Sequence, residues 1–344
     1  MSLSDFIEQM PKVELHVHLE GSIQPETLLK LARRYQVKLP ADTVEGLRAW
    51  YKFTNFAHFI EVYSLVSGCL RSPEDIELIT REFLAGQAAQ HIVFSEVTYT
   101  AHTLYNLNGI PFQEQIEAIN RARSWAAAQL NVGMTLTIDI PRQISAKEGP
   151  MIADWAISAM GNGVSAFGLG GPEIDNPPGK FRDAFDKAFA AGLPCVPHAG
   201  ETVGPESIWG ALRDLHACRI GHGVRCLEDP QLVQELRQRQ IPLEICPTSN
   251  IALKVYPDMT HHPLPKLLEE GLYVTLNSDD PPMFNTTLTD EYRIAAQTFN
   301  LSTSDLEKLD LNALRASFLP PEKKAALEKD FQEQFASLQA RYLD

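Results

Sequence analysis

Cysteine is scarce in this sequence, with five in 344 residues, at positions 69, 195, 218, 226 and 246. The number is odd, the spacing is wide and no CxxC pair occurs. That argues against a disulfide framework and against a cysteine-built zinc knuckle. Buried, reduced thiols in a cytoplasmic protein are the expectation. Long apolar runs are missing too. No stretch reaches the ~18 uncharged residues that a membrane span needs, and the start, "MSLSDFIEQMPKVELH", carries early acids and no signal-peptide core. Basic clusters are also absent, since 30 Lys and Arg stand against 44 Asp and Glu, a net charge of −14. Such a field repels phosphate backbones, which sets aside nucleic acid and anionic membranes as main partners. The last absence is a glycine-rich phosphate loop. "LEGSIQPE", after the first strand, is not the GxGxxG of a doubly wound nucleotide-binding sheet.

What is present is an alternation. Hydrophobic residues make up 44% of the chain, enough for a large core. Short β-rich runs fall at 13–21, 91–100, 133–141, 164–173, 193–201, 218–224, 241–250 and 272–281. Between them lie stretches such as "SPEDIELITREFLAGQAA", "PFQEQIEAINRARSWAAAQL" and "KFRDAFDKAFAAG", with apolar residues three and four apart. Eight strand–helix units predict an α/β fold, a (β/α)8 TIM barrel, with residues 1–344 as one metal-dependent hydrolase domain. Two regions fall outside the repeat. An excursion at about 40–70 carries Trp50, Phe53, Phe56 and Phe59, which either lid a pocket or form the excursion's own core. From about 285 the chain is helical and is expected to wrap the barrel, the charges of its last amphipathic helix forming a solvated face.

The polar residues gather at strand C-terminal ends, where this barrel builds its active site. His16 and His18 end the first strand and Glu20 follows. His198 and Glu201 end the fifth, His222 the sixth, and Asp279 with Asp280 the eighth. Singly, each has a bland reading. HxH merely puts two side chains on one strand face, a histidine in "PHAGE" is more often structural, and "SDDP" is a common capping or turn sequence. Together, at the ends of strands one, five, six and eight, they point to a metal site. Three imidazoles and a carboxylate suit Zn²⁺ with an open position for water, so His16, His18, His198 and Asp279 are the expected ligands. His222 would stand beside the metal and orient the attacking water. Glu201 is placed to exchange protons with a substrate, and Asp280 to contact it.

These residues carry a family resemblance. "PKVELHVHLEGS", "GLGGPE", "HAGE", "RIGHGVR", "CPTSN" and "NSDDP" occur in the order and at the intervals of the adenosine deaminase family of the amidohydrolase superfamily, over nearly the whole chain. The resemblance implies a (β/α)8 barrel with one zinc, which releases ammonia hydrolytically from a small-molecule 6-aminopurine. It implies the same four ligands, Glu201 as the acid that protonates purine N1, and His222 beside the attacking hydroxide. Asp280 would bond N7, and the backbone N–H of Gly171 would reach N3. Protonating N1 makes the aromatic C6 electrophilic, and a carboxyl still protonated at neutral pH needs an apolar pocket to raise its pKa. Binuclear members of the superfamily bridge two metals with a lysine ending strand four. "VSAFGLGGPE" has none, so one metal is expected. The HxE…PCxxC signature of the cytidine and polynucleotide deaminases is missing.

Substrate identity turns on departures from the family pattern. Gly221, Thr248 and "GLGGPE" differ from the "RIDHG", "CPLSN" and "GLDSSE" usual in adenine deaminases, which favours a substrate bearing a sugar. Adenosine and 2′-deoxyadenosine are the first expectation. The alternatives are 6-aminodeoxyfutalosine or another 5′-modified adenosine, free adenine, and a non-catalytic metal-binding barrel. Glu20 stands where adenosine enzymes carry an aspartate that contacts the ribose 5′-hydroxyl, so it either reshapes that end of the pocket or simply caps the turn. Gly168 stands where the family has an aspartate, and its missing side chain would open room. Arg142 is expected to meet either a polar tail of the substrate or a barrel carboxylate. The sequence carries no signal of oligomeric state. One outcome follows from the assigned roles: Glu201→Gln should keep its metal and lose most turnover, read by metal analysis beside ammonia release. Metal loss with unchanged turnover per bound ion would overturn the role.

Overall fold

A computed structural model describes residues 2–343. Its eight strands are β1 (Lys12–His18), β2 (Ile92–Tyr99), β3 (Gly133–Pro141), β4 (Val164–Gly170), β5 (Cys195–Ala199), β6 (Ile220–His222), β7 (Leu243–Ile245) and β8 (Val274–Leu276). They pair in parallel and in chain order. All eight lie within the runs expected from sequence, except that β1 starts one residue early. The last four are shorter than their runs, because the polar residues at their ends leave the ladder to form the rim.

Helices alternate with the strands, and local chemistry starts them. In the helix Pro73–Ala89, the Ser72 hydroxyl accepts from the Asp75 N–H, the Asp75 carboxylate reaches back to the Ser72 N–H, and Pro73 takes the first helical position. Its buried residues Ile76, Ile79, Phe83 and Leu84 follow the three–four spacing of one helix face. That face packs on the barrel and on the neighbouring helix Phe112–Gln129. The excursion forms the helices Val44–Trp50 and Phe56–Ser67. The C-terminal helix Pro321–Tyr342 buries Phe331 and Phe335, and the Phe335 ring meets Phe6 of the N-terminal helix Leu3–Gln9 with centroids 6.3 Å apart. Its charged residues stay outside, as the sequence indicated. No helix among the described residues is long and apolar enough to cross a membrane. The five cysteines are unpaired and four are buried; Cys218 is exposed, contrary to the expectation for all five.

The barrel closes where β1 meets the residues after β8. The register of β1 on β2 slips between Glu14 and Val17, a bulge that leaves two backbone N–H groups unpaired by the ladder. The Asn277 side chain takes both, its Oδ1 accepting from Leu15 at 2.9 Å and His16 at 3.1 Å. Beyond it, Val17 bridges Asp279. The His18 N–H donates to the Asp279 carbonyl at 2.9 Å, and the Asp279 N–H to the His16 carbonyl at 3.1 Å.

Beneath the rim the interior carries charge. Arg219, almost fully buried, donates to Glu96 at 2.5 Å, to Glu244, and to the Ala316 carbonyl at 2.9 Å. Glu244 continues to His16 Nδ1 at 2.8 Å. Arg219→Ala would leave two carboxylates buried without their cation. Removing one partner of such a group costs roughly 3–5 kcal/mol, so the urea midpoint should fall markedly. A stability unchanged within ~0.5 kcal/mol would show that this network does not support the barrel.

Candidate active site at the barrel rim

The strand ends bring the expected residues together. His16, His18, His198 and Asp279 each offer one ligand atom, and these atoms lie within 4.8 Å of one another. His18 Nε2 and His198 Nε2 face each other at 3.1 Å. Asp279 Oδ1 is 3.3 Å from His18 Nε2 and 3.5 Å from His16 Nε2. Two imidazole nitrogens that close repel unless a proton or a cation lies between them. His16 Nε2 is buried with no hydrogen-bond partner among the described residues. The donor set therefore fits a divalent ion of the zinc type, with imidazole and carboxylate ligands. A second group, His16, His222, Cys246 and Asp279, meets the same distance test. It adds Cys246 of the "CPTSN" motif, a residue to which the sequence reading gave no role.

Backbone geometry aims these side chains. Asp279 and His222 both adopt left-handed conformations, φ +66° and +60°, which costs non-glycine residues on the order of 1–3 kcal/mol and is concentrated at functional sites. Glu244, at 2.8 Å, fixes the His16 ring from behind, the usual outer partner of a ligating histidine. Burial opposes protonation of His16, but hydrogen bonds and charge from Asp279 and Glu244 raise its pKa to about 9. The same negative field attracts a metal. Burial, then the neighbouring histidines, pushes His198 well below its usual value.

Above this set lies a cavity that is partly open to solvent. Glu201, His222, Asp280 and Gly171 all line it. His222 Nε2 is 3.7 Å from Glu201 Oε2 and 4.0 Å from Asp279 Oδ2. Burial, then the charges of Asp279 and Glu173, raises the Glu201 pKa well above the carboxylate range. Burial, then Asp279, does the same for Asp280. Glu173 anchors the loop after β5 by accepting from the N–H groups of Gly200 at 2.9 Å and of Glu201 and Thr202 at 2.8 Å.

Three expectations change. Glu20 is fully buried and does not reach the cavity surface. Its carboxylate sits behind the wall, accepting from the Thr100 N–H at 3.0 Å and the Tyr63 hydroxyl at 3.2 Å, and both of those residues line the cavity. It caps no turn of its own either. Arg142 is fully buried, does not line the cavity and has no carboxylate at hydrogen-bond distance among the described residues. It donates to the carbonyls of His198 and Asn176, both at 2.6 Å, and so clamps the end of β5. The room beside Gly168 is filled by Thr137 and Asp139 of β3. The aromatic excursion divides: Phe56 and Phe59 line the cavity, whereas Phe53 packs edge-on against Phe59 and Phe284.

Comparison with known proteins agrees with this arrangement. The adenosine deaminase family model matches residues 11–334. The chain belongs to the adenosine deaminase family. It is accordingly a hydrolase of the deaminase class acting on a purine amidine. It is 43% identical over 330 residues to an aminodeoxyfutalosine deaminase of Streptomyces avermitilis, a match covering 94% of this chain and 91% of that protein. The crystal structure of an adenine deaminase from Arthrobacter aurescens superposes with a TM-score of 0.90 at 32% identity, covering 94% of this chain and 98% of that one. An amidohydrolase from Burkholderia ambifaria with bound zinc gives 0.93 at 26% identity, covering 99% and 95%.

Gly21 is the least replaceable residue of the "HVHLEG" turn. A Cβ there would meet Asp280 Oδ1 at 1.6 Å, so the carboxylate would have to move. Gly21→Ala should lower kcat by at least ~100-fold, the typical cost of misplacing a reacting group, with metal content retained. Full activity in this variant would show that Asp280 need not stay where it is.

Proposed function

We propose that this enzyme deaminates a 6-aminopurine nucleoside with a modified 5′ end, of the 6-aminodeoxyfutalosine type, using one zinc held by His16, His18, His198 and Asp279. The observation that carries the reading is the cavity lining. Metal-capable residues, Glu201, His222 and Asp280 stand at one side, and an apolar helix face stands at another. When bound, the ion lowers the pKa of water and makes it a nucleophile at neutral pH.

The chain's own groups divide the remaining work. Glu201, kept protonated by burial and by neighbouring carboxylates, donates to ring nitrogen N1 and withdraws electron density from C6. His222, held by burial at a pKa of about 4, is a neutral imidazole able to accept a proton from the attacking water. Asp280, with its pKa raised, can present a proton to N7. Gly171 at the rim of β4 offers backbone close to the N3 edge. The Tyr63, Phe59 and Phe56 wall limits water around the reacting ring. Ammonia leaves once a proton reaches the amine.

Adenosine itself was the first expectation, and two observations move the reading to a 5′-modified nucleoside. One is the 43% identity to an aminodeoxyfutalosine deaminase. The other is the wall tied to Glu20, whose position the family resemblance places at the 5′ end. Glu20 binds Tyr63, and that helix presents Phe56, Phe59 and Ile60 to the cavity. An apolar face suits a bulky 5′ substituent better than a bare hydroxyl. No Lys or Arg is among the described residues lining the cavity, which disfavours a 5′-phosphate. Free adenine is the second reading, favoured by the likeness to the Arthrobacter adenine deaminase.

Steady-state comparison of 6-aminodeoxyfutalosine, 5′-methylthioadenosine, adenosine, 2′-deoxyadenosine and adenine tests the choice. A 5′-modified nucleoside should exceed adenine in kcat/KM by ~100-fold, about 2.7 kcal/mol of transition-state discrimination, and a chelator should abolish turnover. The reverse ratio would transfer the function to adenine.

A further inference from the structure

The cavity holds a carboxylate that the reaction above does not use. Asp139, near the end of β3, lines the cavity at 2% exposure. Its Oδ1 has no hydrogen-bond partner among the described residues, and the groups that favour its charged form are the His18 imidazole and the Thr100 hydroxyl. The unpartnered state is shared by Glu201 Oε1 and Asp280 Oδ1 in the same cavity. A buried polar atom left unpaired is costly, and natural proteins keep one where a ligand completes it.

The neighbouring strand is cleared to seat this side chain. Asp139 pairs with Gly168 of β4. A Cβ at Gly168 would lie 3.2 Å from Asp139 Cβ and 2.8 Å from Thr137 Cγ2, and one at Gly170 would lie 2.7 Å from Asp139 Oδ2. Two glycines thus make the space that the carboxylate occupies.

Its position on the rim states its purpose. The acid, imidazole and carboxylate groups that act on the purine come from β1, β5, β6 and the turn after β8, and Gly171 follows β4. Asp139 stands on β3, two strands from β1, near enough to His18 to feel its charge and beside Thr100 after β2. Thr100 is also the residue through which Glu20 reaches the wall. On the nucleoside reading the wall tied to Glu20 faces the sugar, and Asp139 stands beside that wall.

We propose that Asp139 accepts a hydrogen bond from a hydroxyl of the substrate's sugar and makes this enzyme select a nucleoside over a free base. This rests on the nucleoside reading above and deepens it. Its carboxylate oxygens can accept from a sugar hydroxyl.

The test compares Asp139→Ala and Asp139→Asn with the unmodified enzyme. The panel is adenosine, its 2′-, 3′- and 5′-deoxy analogues, and adenine. Binding of the product pair inosine and hypoxanthine is measured by calorimetry. Asp139→Ala should lower the adenosine-to-adenine ratio of kcat/KM, and the inosine-to-hypoxanthine affinity ratio, by roughly 10- to 100-fold, the worth of a hydrogen bond to a charged group. The loss should fall mainly in KM, Asn should recover part of it, and one deoxy analogue should be insensitive to the substitution. Equal losses for nucleoside and base, or additive losses with every deoxy analogue, would overturn the proposal. An unmodified enzyme that binds inosine no better than hypoxanthine would overturn it as well. Failure of the unmodified enzyme to turn over any 6-aminopurine is a separate result and sinks the deaminase reading itself.

Discussion

Two backbone hydrogen bonds between β1 and Asp279, in the turn after β8, hold both the barrel and its site. The His18 N–H reaches the Asp279 carbonyl, and the Asp279 N–H reaches the His16 carbonyl. A barrel needs this seam to have no open edge. The metal-capable set needs it because the residues concerned are otherwise separated by most of the chain. Asp279 pairs in the seam by its backbone while its left-handed φ turns the carboxylate to the histidines. The bulge in β1 and the Asn277 side chain that fills it are parts of the same joint. Closure and chemistry therefore share residues, and a change that loosens one loosens the other.

A second dependence is electrostatic. The cavity gathers Asp139, Glu201, Asp279 and Asp280, all nearly fully buried. At that density ionised carboxylates repel, so they are driven to different protonation states. Histidine neighbours hold Asp279 well below the ordinary range against the cost of burial, while burial and Asp279 raise Glu201 and Asp280. One acceptor for a cation and two proton donors thus arise from the same residue type. The line from His16 through Glu244 and Arg219 to Glu96 balances charge beneath the rim.

On the proposed reading, substrate choice lies in the wall more than in the reacting centre. Glu20, at the position where adenosine enzymes contact the 5′-hydroxyl, is withdrawn behind Tyr63 and Thr100. Its longer side chain is used inside the protein, and the surface presented at that end is aromatic and aliphatic. Two glycines of β4 make room for Asp139. Relatives that share the four metal-capable residues can therefore differ in the molecule they accept.

The sequence alone determined the barrel, its eight strands and the residues at their ends. Strand alternation puts His16 and His18 on one face by covalent geometry, and the rim position of His198, Glu201, His222, Asp279 and Asp280 follows from strand order. These are local facts, readable at fixed spacing. Only the tertiary structure decided what lies between strands. Asp139 in "TIDIP" reads as an ordinary strand residue until Gly168 and Gly170 are seen beside it. Glu20 reads as a cavity residue until Tyr63, 43 positions away, is found donating its hydroxyl hydrogen bond to the carboxylate. Cys246 reads as a motif residue until its sulfur is placed among His16, His222 and Asp279. In each case the deciding quantity is the space left by a side chain on another element. Packing sets that space, and spacing along the chain does not encode it.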